Sequence, residues 1–274
     1  MKHEIEEIES ITAAVQAKKK YQNIHPGVIR NIAESEYAKG RRGKEAVKEV
    51  AAKLHQVAAS YFLHRPDYQN WVRQFTELPG EIENPRVRIL CEKIMQQHSS
   101  TAERLPIMQN FFHHTLNAIK PVSSIVDLAC GLNPLTLTEM PLDEEFEYYG
   151  CDIFIDMIDF LNQWFSFFQI NAKVEVCNLL DLAMGKKPIK QAQVTFLLKA
   201  LTCLDQLEKD VGISLLERIP SQFILVSYPV ASLGGRQKGM LQNYEKQFMQ
   251  LVSGQKWQVE RFIFETELAF LVKK

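Results

Sequence analysis

Apolar residues recur at helical spacing through the first 120 positions, then give way to short apolar runs divided by turns. Ile5, Ile8, Ile11, Thr12 and Val15 share one face of a 3.6-residue period and predict a helix. Pro26 suits a first helical turn and opens a second helix through Val28, Ile32 and Tyr37. The basic turn Lys39-Gly40-Arg41-Arg42-Gly43 precedes a long amphipathic helix with Val47, Val50, Ala51, Leu54, Val57, Ala58 and Tyr61 on one side. Pro66, Pro79-Gly80 and Asn84-Pro85 mark further breaks, with short helices between them. Ser100-Thr101-Ala102-Glu103 has the form of a capping box and predicts one helix running to Ile119.

Beyond Pro121 the pattern changes. Ser124–Ala129, Phe146–Asp152, Val174–Cys177, Val194–Lys199 and Phe223–Tyr228 read as strands, and Ile153–Phe168 as an apolar helix. Trp257–Phe264 and Leu268–Val272 predict a closing antiparallel hairpin. Strands alternating with helices imply a mostly parallel sheet covered on both faces. The predicted fold class is therefore α/β: a doubly wound, seven-stranded, Rossmann-like domain over residues 105–274, behind an all-α domain over residues 1–104.

Composition adds an asymmetry. The net charge is only -1, yet residues 1–120 carry 18 Lys+Arg against 14 Asp+Glu, and residues 121–274 carry 14 against 19. Within 18–53 there are ten basic and four acidic residues. A positive head on an acidic body suits a module that binds a polyanion, although a solvated helical face would give the same count. The apolar runs are too short to span a bilayer, and the acidic, amphipathic start is unlike a signal peptide. Five scattered cysteines without a CxxC pair argue against structural zinc and predict free thiols in a reducing cytoplasm.

In doubly wound sheets ligands sit at the carboxyl ends of the strands, near the switch point. The first strand ends in Asp127-Leu128-Ala129-Cys130-Gly131-Leu132-Asn133-Pro134, where small residues at 129 and 131 allow close backbone approach to a ligand. Asp152 closes the second strand and can accept from two ribose hydroxyls. Asn178 follows the third strand, where an adenine edge would lie, with Asp181 close behind. The G-x-G-x-x-G cradle that a dinucleotide pyrophosphate needs is absent, since only Gly131 is present. S-adenosyl-L-methionine carries no phosphate and has an ammonium that Asp127 would favour, so the pattern favours the methyl donor over a nicotinamide cofactor.

At this point the chain resembles a known family. Leu128-Ala129-Cys130-Gly131-Leu132-Asn133-Pro134-Leu135, Ser227-Tyr228-Pro229 and Ser232-Leu233-Gly234-Gly235-Arg236-Gln237-Lys238-Gly239-Met240 are similar to motifs of the aminoglycoside-resistance 16S rRNA (guanine-N7) methyltransferases. Ser100-Thr101-Ala102-Glu103-Arg104-Leu105-Pro106, Lys20-Tyr21 and Leu54-His55-Gln56 extend the similarity over nearly the whole chain. The resemblance implies a class I methyltransferase domain that modifies N7 of a guanine in the decoding site and blocks aminoglycosides. It implies a cofactor set of Arg104, Asp127, Ala129, Gly131, Asp152, Ile153, Asn178 and Leu179, with Arg104 on the methionine carboxylate. Asn178 stands where the family usually has Asp, and Thr202-Cys203 replaces a family Leu-Pro.

Guanine N7 already bears an in-plane lone pair, so no residue is expected to act as general base. Lys199, Arg236 and Met240 are the candidates beside the target, with Lys199 assigned to phosphate or structural contacts. An Asn/Asp-Pro-Pro-aromatic element, common where exocyclic amines are methylated, is missing after Leu198. The RNA contacts expected are Lys19, Lys20, Arg41, Arg42, Lys53, His55, Arg236 and Lys238, which would position phosphates without reading sequence. The implied partner is 16S rRNA within the assembled small ribosomal subunit, in the cytoplasm, with no membrane and no obligate protein partner. Two alternatives stand beside this: methylation of a different base, or a non-enzymatic RNA-binding protein on a degenerate Rossmann-like scaffold.

Overall fold

The computed structural model describes residues 2–59, 61–62, 64–208, 210–230 and 239–274. Arg236 and Lys238, two residues expected near the target or the RNA, lie outside the described residues. Seven strands form one sheet: β1 (Val122–Leu128), β2 (Leu142–Asp152), β3 (Ala172–Val176), β4 (Val194–Leu198), β5 (Phe223–Pro229), β6 (Gln258–Ile263) and β7 (Glu267–Lys273). Their order is β3-β2-β1-β4-β5-β7-β6, parallel through β5 and antiparallel for the closing hairpin. The order reverses between β1 and β4, which opens a crevice beyond their carboxyl ends.

Alternation along the strands separates two cores. Ile125, Phe196, Leu225 and Leu271 face one layer, whereas Val126, Leu197, Val226 and Val272 face the other. The first layer holds α4 (Tyr68–Thr76), α5 (Pro85–Met95), α7 (Met108–Thr115) and α8 (Ile155–Phe167). The second holds α9 (Leu179–Ala183), α10 (Leu201–Leu207), α11 (Val211–Arg218) and α12 (Met240–Leu251). A third core joins α1 (Lys2–Gln16), α2 (Pro26–Ala38), α3 (Gly43–Leu54) and the π-helical turn His55–Ala59. Trp71, Phe75, Val87 and Ile94, all ahead of the division at 104 expected from sequence, pack into the sheet's own core.

Two expectations are corrected. The segment from Ser100 to Ile119 is not one helix: α6 (Ser99–Arg104) gives way to a 3-10 turn, Leu105–Ile107, before α7. Pro106 lacks the N–H that would continue the ladder, and no side chain caps α6 at His98. Nor are all five thiols free, since Cys151 and Cys177 form a disulfide. They sit at the ends of adjacent strands with their Cα atoms 5.6 Å apart, a proximity that 26 residues of separation conceal in the sequence. Among the described residues, no helix is long and apolar enough to cross a membrane.

Candidate active site

The carboxyl ends of β1 to β4 gather around a cleft. Ala129, Gly131, Asp152, Ile153, Asn178 and Leu179, six of the eight expected cofactor residues, line it together with Lys199. Backbone conformation explains the small residues: Ala129 has φ 58° and Gly131 has φ 52°, both in the left-handed region. A Cβ on Gly131 would lie 2.9 Å from Cε1 of His98, so only glycine fits there. Asp152 accepts from the Gly131 N–H at 2.9 Å and the Ile153 N–H at 2.6 Å, fastening the first strand's turn to the second. Burial pushes its carboxyl pKa up, while those backbone N–H groups oppose the shift.

Asn178 caps α9, its Oδ1 accepting from the Leu180 N–H at 3.1 Å. Its Nδ2 is buried without a partner among the described residues. The polar atom it has to spare is thus a donor. A buried, unmet amide donor fits a ring nitrogen of adenine, which accepts. We expect Asn178→Asp, which keeps the cap and loses the donor, to weaken S-adenosylmethionine about tenfold by calorimetry, the value of one buried hydrogen bond.

Arg104 and Asp127 lie behind the cleft rather than on its wall. Arg104 is 2% exposed and forms a bidentate pair with Glu267, at 3.0 Å from Nε and 2.6 Å from Nη2. Its Nη1 donates to Asn133 Oδ1 at 3.1 Å. Asn133 in turn donates to Asp127 Oδ2 at 2.6 Å, which also accepts from Tyr148 at 2.7 Å. The guanidinium expected on the methionine carboxylate is therefore held by a carboxylate of the protein itself. Asp127 Oδ1 has no partner among the described residues, and burial pushes the Asp127 pKa up to about 6. Lys199, at φ 59°, points inward to Glu103 at 2.7 Å and Glu267 at 3.5 Å, so of its two expected roles the geometry fits the structural one. Met240 begins α12, just past the residues not described.

Sequence reasoning missed two contributors. His98, a buried residue, lines the cleft beside Ser100. The helical head supplies Val28, Val57, Ala58 and Tyr61 as a wall of the same cleft. It is seated by an antiparallel bridge between Ile24 and Phe154, by His25 N–H to Ile153 O at 2.8 Å, and by Asn23 to Asp156 at 2.6 Å.

The basic residues of the head divide into two groups. Lys19, Lys20 and His55 line an open groove with His64 and Arg65 at the junction with the catalytic domain. Arg41 and Lys53 instead join Lys39 around Glu36, which is fully buried. Burial, with Lys39 and Arg41 beside it, brings Lys53 down to about 8. Arg42 stacks over the Tyr37 ring at 3.4 Å and donates to the Tyr37 carbonyl at 2.6 Å. These three cations, expected among the phosphate contacts, thus have partners within the protein.

A doubly wound seven-stranded sheet with an acidic residue on the second strand's end and small residues at the first turn defines a methyltransferase scaffold. The chain belongs to the ribosomal RNA methyltransferase (FmrO) family, whose profile matches residues 17–271. It is 30% identical over 97% of its length to a 16S rRNA (guanine(1405)-N(7))-methyltransferase of Frankia casuarinae, covering 94% of that protein. It is 28% identical to the protein of the same name from Micromonospora echinospora, over 97% of both chains. Among solved structures, the 16S rRNA methyltransferase RmtF in complex with S-adenosyl-L-homocysteine matches with a TM-score of 0.83 at 24% identity, over 98% of both chains. At that identity the match establishes the fold.

Proposed function

We infer that this protein transfers a methyl group from S-adenosyl-L-methionine to N7 of a guanine in the decoding site of 16S rRNA, within the assembled small subunit, and thereby confers aminoglycoside resistance. The observation that carries the choice of atom is the similarity, over 97% of the chain, to proteins named 16S rRNA (guanine(1405)-N(7))-methyltransferase, and the groups of the cleft that could take a proton are engaged or weak bases. Asp152 is engaged by backbone N–H groups, and Lys199 is ion-paired. Burial, with Lys199 and Arg104 nearby, drives His98 down to about 3, far too weak a base for an exocyclic amine. Guanine N7 needs no deprotonation, so orientation and exclusion of water suffice. When bound, the cofactor supplies an electrophilic methyl on a sulfonium. Asp152 would hold its ribose, Asn178 its adenine, and Ile153 and Leu179 would cover the base.

Asp127 would favour the cofactor's ammonium through its unpartnered Oδ1. Cofactor affinity should then rise as pH increases through about 6, because the carboxylate attracts a cation only when ionised, and Asp127→Asn should flatten that profile. The effect on stability has the opposite sign: a raised carboxyl pKa favours the folded state at low pH, and that contribution is lost as pH climbs through the same value.

The open groove at Lys19, Lys20 and His55 would receive RNA phosphates, and N7 lies in the deep groove of an RNA helix, so the base would be flipped to reach the cleft. Lys19→Ala or Lys20→Ala should lower the salt dependence of subunit binding by about one counterion each. Lys53→Ala should leave that slope unchanged and lower the melting temperature, because it uncovers Glu36. The function itself is tested by treating small subunits with the protein and labelled cofactor and mapping the base by borohydride–aniline cleavage. Cleavage at one decoding-site guanine is expected; label without cleavage would move the reaction to another atom.

A further inference from the structure

His98 has no role in the assignments above, yet it is buried at the rim of the cleft. It opens α6 and is clipped to the end of the helical head: Phe62 and His98 form an antiparallel bridge, and the Ser99 N–H donates to the Tyr61 carbonyl at 2.8 Å. The imidazole stacks on Tyr61, with centroids 5.9 Å apart and planes 26° apart, and meets the edge of Phe62 at 5.0 Å. Both Tyr61 and His98 line the cleft. On the far side Tyr61 reaches α10, its hydroxyl 2.9 Å from Cys203 Sγ. The two rings thus form a continuous aromatic wall from the first strand's turn to the helix after β4.

That wall stands at a defined end of the cleft. Asp152 and Asn178 mark the nucleoside end, which leaves the methionine portion, with its sulfonium, to the end bounded by His98, Ser100, Ala129 and Lys199. The fixed cations near this end are already matched, Lys199 by Glu103 and Glu267, and Arg104 by Glu267. A sulfonium has no N–H to donate, so hydrogen-bond acceptors recognise it poorly. Electron-rich ring faces and lone pairs recognise such cations, as they do quaternary ammonium groups. The tautomer agrees. Thr101 donates its hydroxyl proton to the carbonyls of Met95 and His98, at 2.9 and 3.0 Å, so its oxygen can only accept from His98 Nδ1 at 3.5 Å. Nε2 then carries the lone pair, and among the described residues it has no hydrogen-bond partner.

We propose that Tyr61 and His98 are cofactor-contacting residues whose neutral aromatic wall recognises the sulfonium and so favours the charged methyl donor over its uncharged product. The inference rests on the placement of the cofactor at the strand ends. Burial and the neighbouring Lys199 and Arg104 keep the imidazole uncharged, the state the wall requires, since an imidazolium would repel the donor. The wall thereby ties product release to the loss of charge.

The test is calorimetric titration of the full chain with S-adenosylmethionine and with S-adenosylhomocysteine. The wild-type protein should bind the charged ligand about tenfold more tightly, as a desolvated cation–π contact allows. His98→Leu should remove most of that preference by weakening the donor alone, leaving the product within about twofold. Equal weakening of both ligands would reduce His98 to a packing role and overturn the proposal. Should His98→Leu fail to fold, the wild-type pair of titrations and Tyr61→Leu still decide, because equal binding of both ligands by the wild type overturns the proposal outright. Wild-type protein that binds neither ligand would instead remove the cofactor placement itself, and this inference with it.

Discussion

Replacing Asp152 with alanine should abolish measurable cofactor binding, a loss of at least about a hundredfold, and with it all methyl transfer. The effect is large because the carboxylate serves two purposes. It is the acidic group on the second strand's end that the cofactor ribose would meet, and it already holds the Gly131 and Ile153 N–H groups at 2.9 and 2.6 Å. Each such charge-assisted bond contributes about 1.5–3 kcal/mol, so its removal frees the turn at Gly131 as well as the ribose site. Asp152→Asn separates the two purposes. Its amide oxygen can keep one backbone bond, so folding should be largely retained while affinity falls. Equilibrium dialysis with S-adenosylhomocysteine and urea unfolding would read the two effects apart. Binding unchanged in Asp152→Ala would exclude this strand end as the ribose site.

Glu267→Gln should cost about 3–5 kcal/mol of stability, the usual consequence of stripping one partner from a buried ion pair. Glu267 is fully buried and accepts two bonds from Arg104 and a longer contact from Lys199, so its neutralisation leaves two enclosed cations with Glu103 alone. Arg104→Met combined with Glu267→Leu should cost much less, since the pair then leaves together. The pH dependence follows. Burial by itself would raise the Glu267 pKa, but Arg104 and Lys199 hold it below the ordinary carboxylate value. A depressed carboxyl pKa stabilises the fold above the unfolded value of about 4.3, and that stability is lost as pH falls through the folded value. Acid unfolding should therefore begin at higher pH in an Arg104→Met protein than in the wild type.

The strands and most of the cofactor cleft were legible because their signals are local. Ser124–Ala129 and Phe223–Tyr228 are apolar runs bounded by turn residues, and the observed strands differ from them by one or two positions. Asp152 and Asn178 were found because a strand end is a fixed address in this architecture. What escaped was set by pairing across the chain. Arg104 meets Glu267 across 163 residues, and the buried Glu36 collects Arg41 and Lys53 in a way that no count of local charge reveals. A surplus of basic residues looks the same whether it awaits a phosphate or surrounds a carboxylate. His98 gave no periodic or motif signal; only its contact with Gly131 and Tyr61 exposes it.

Val28, Val57 and Ala58 belong to the core of the helical head and yet, with Tyr61 just beyond it, form one side of the cleft at the strand ends. The head is for that reason no detachable adaptor. A relative that traded its first sixty residues for another grip on the ribosome would lose part of the enclosure that keeps water from the reacting methyl. On the function proposed above, recognition of the RNA and custody of the donor would be inherited together, and changes in one would be constrained by the fit of the other.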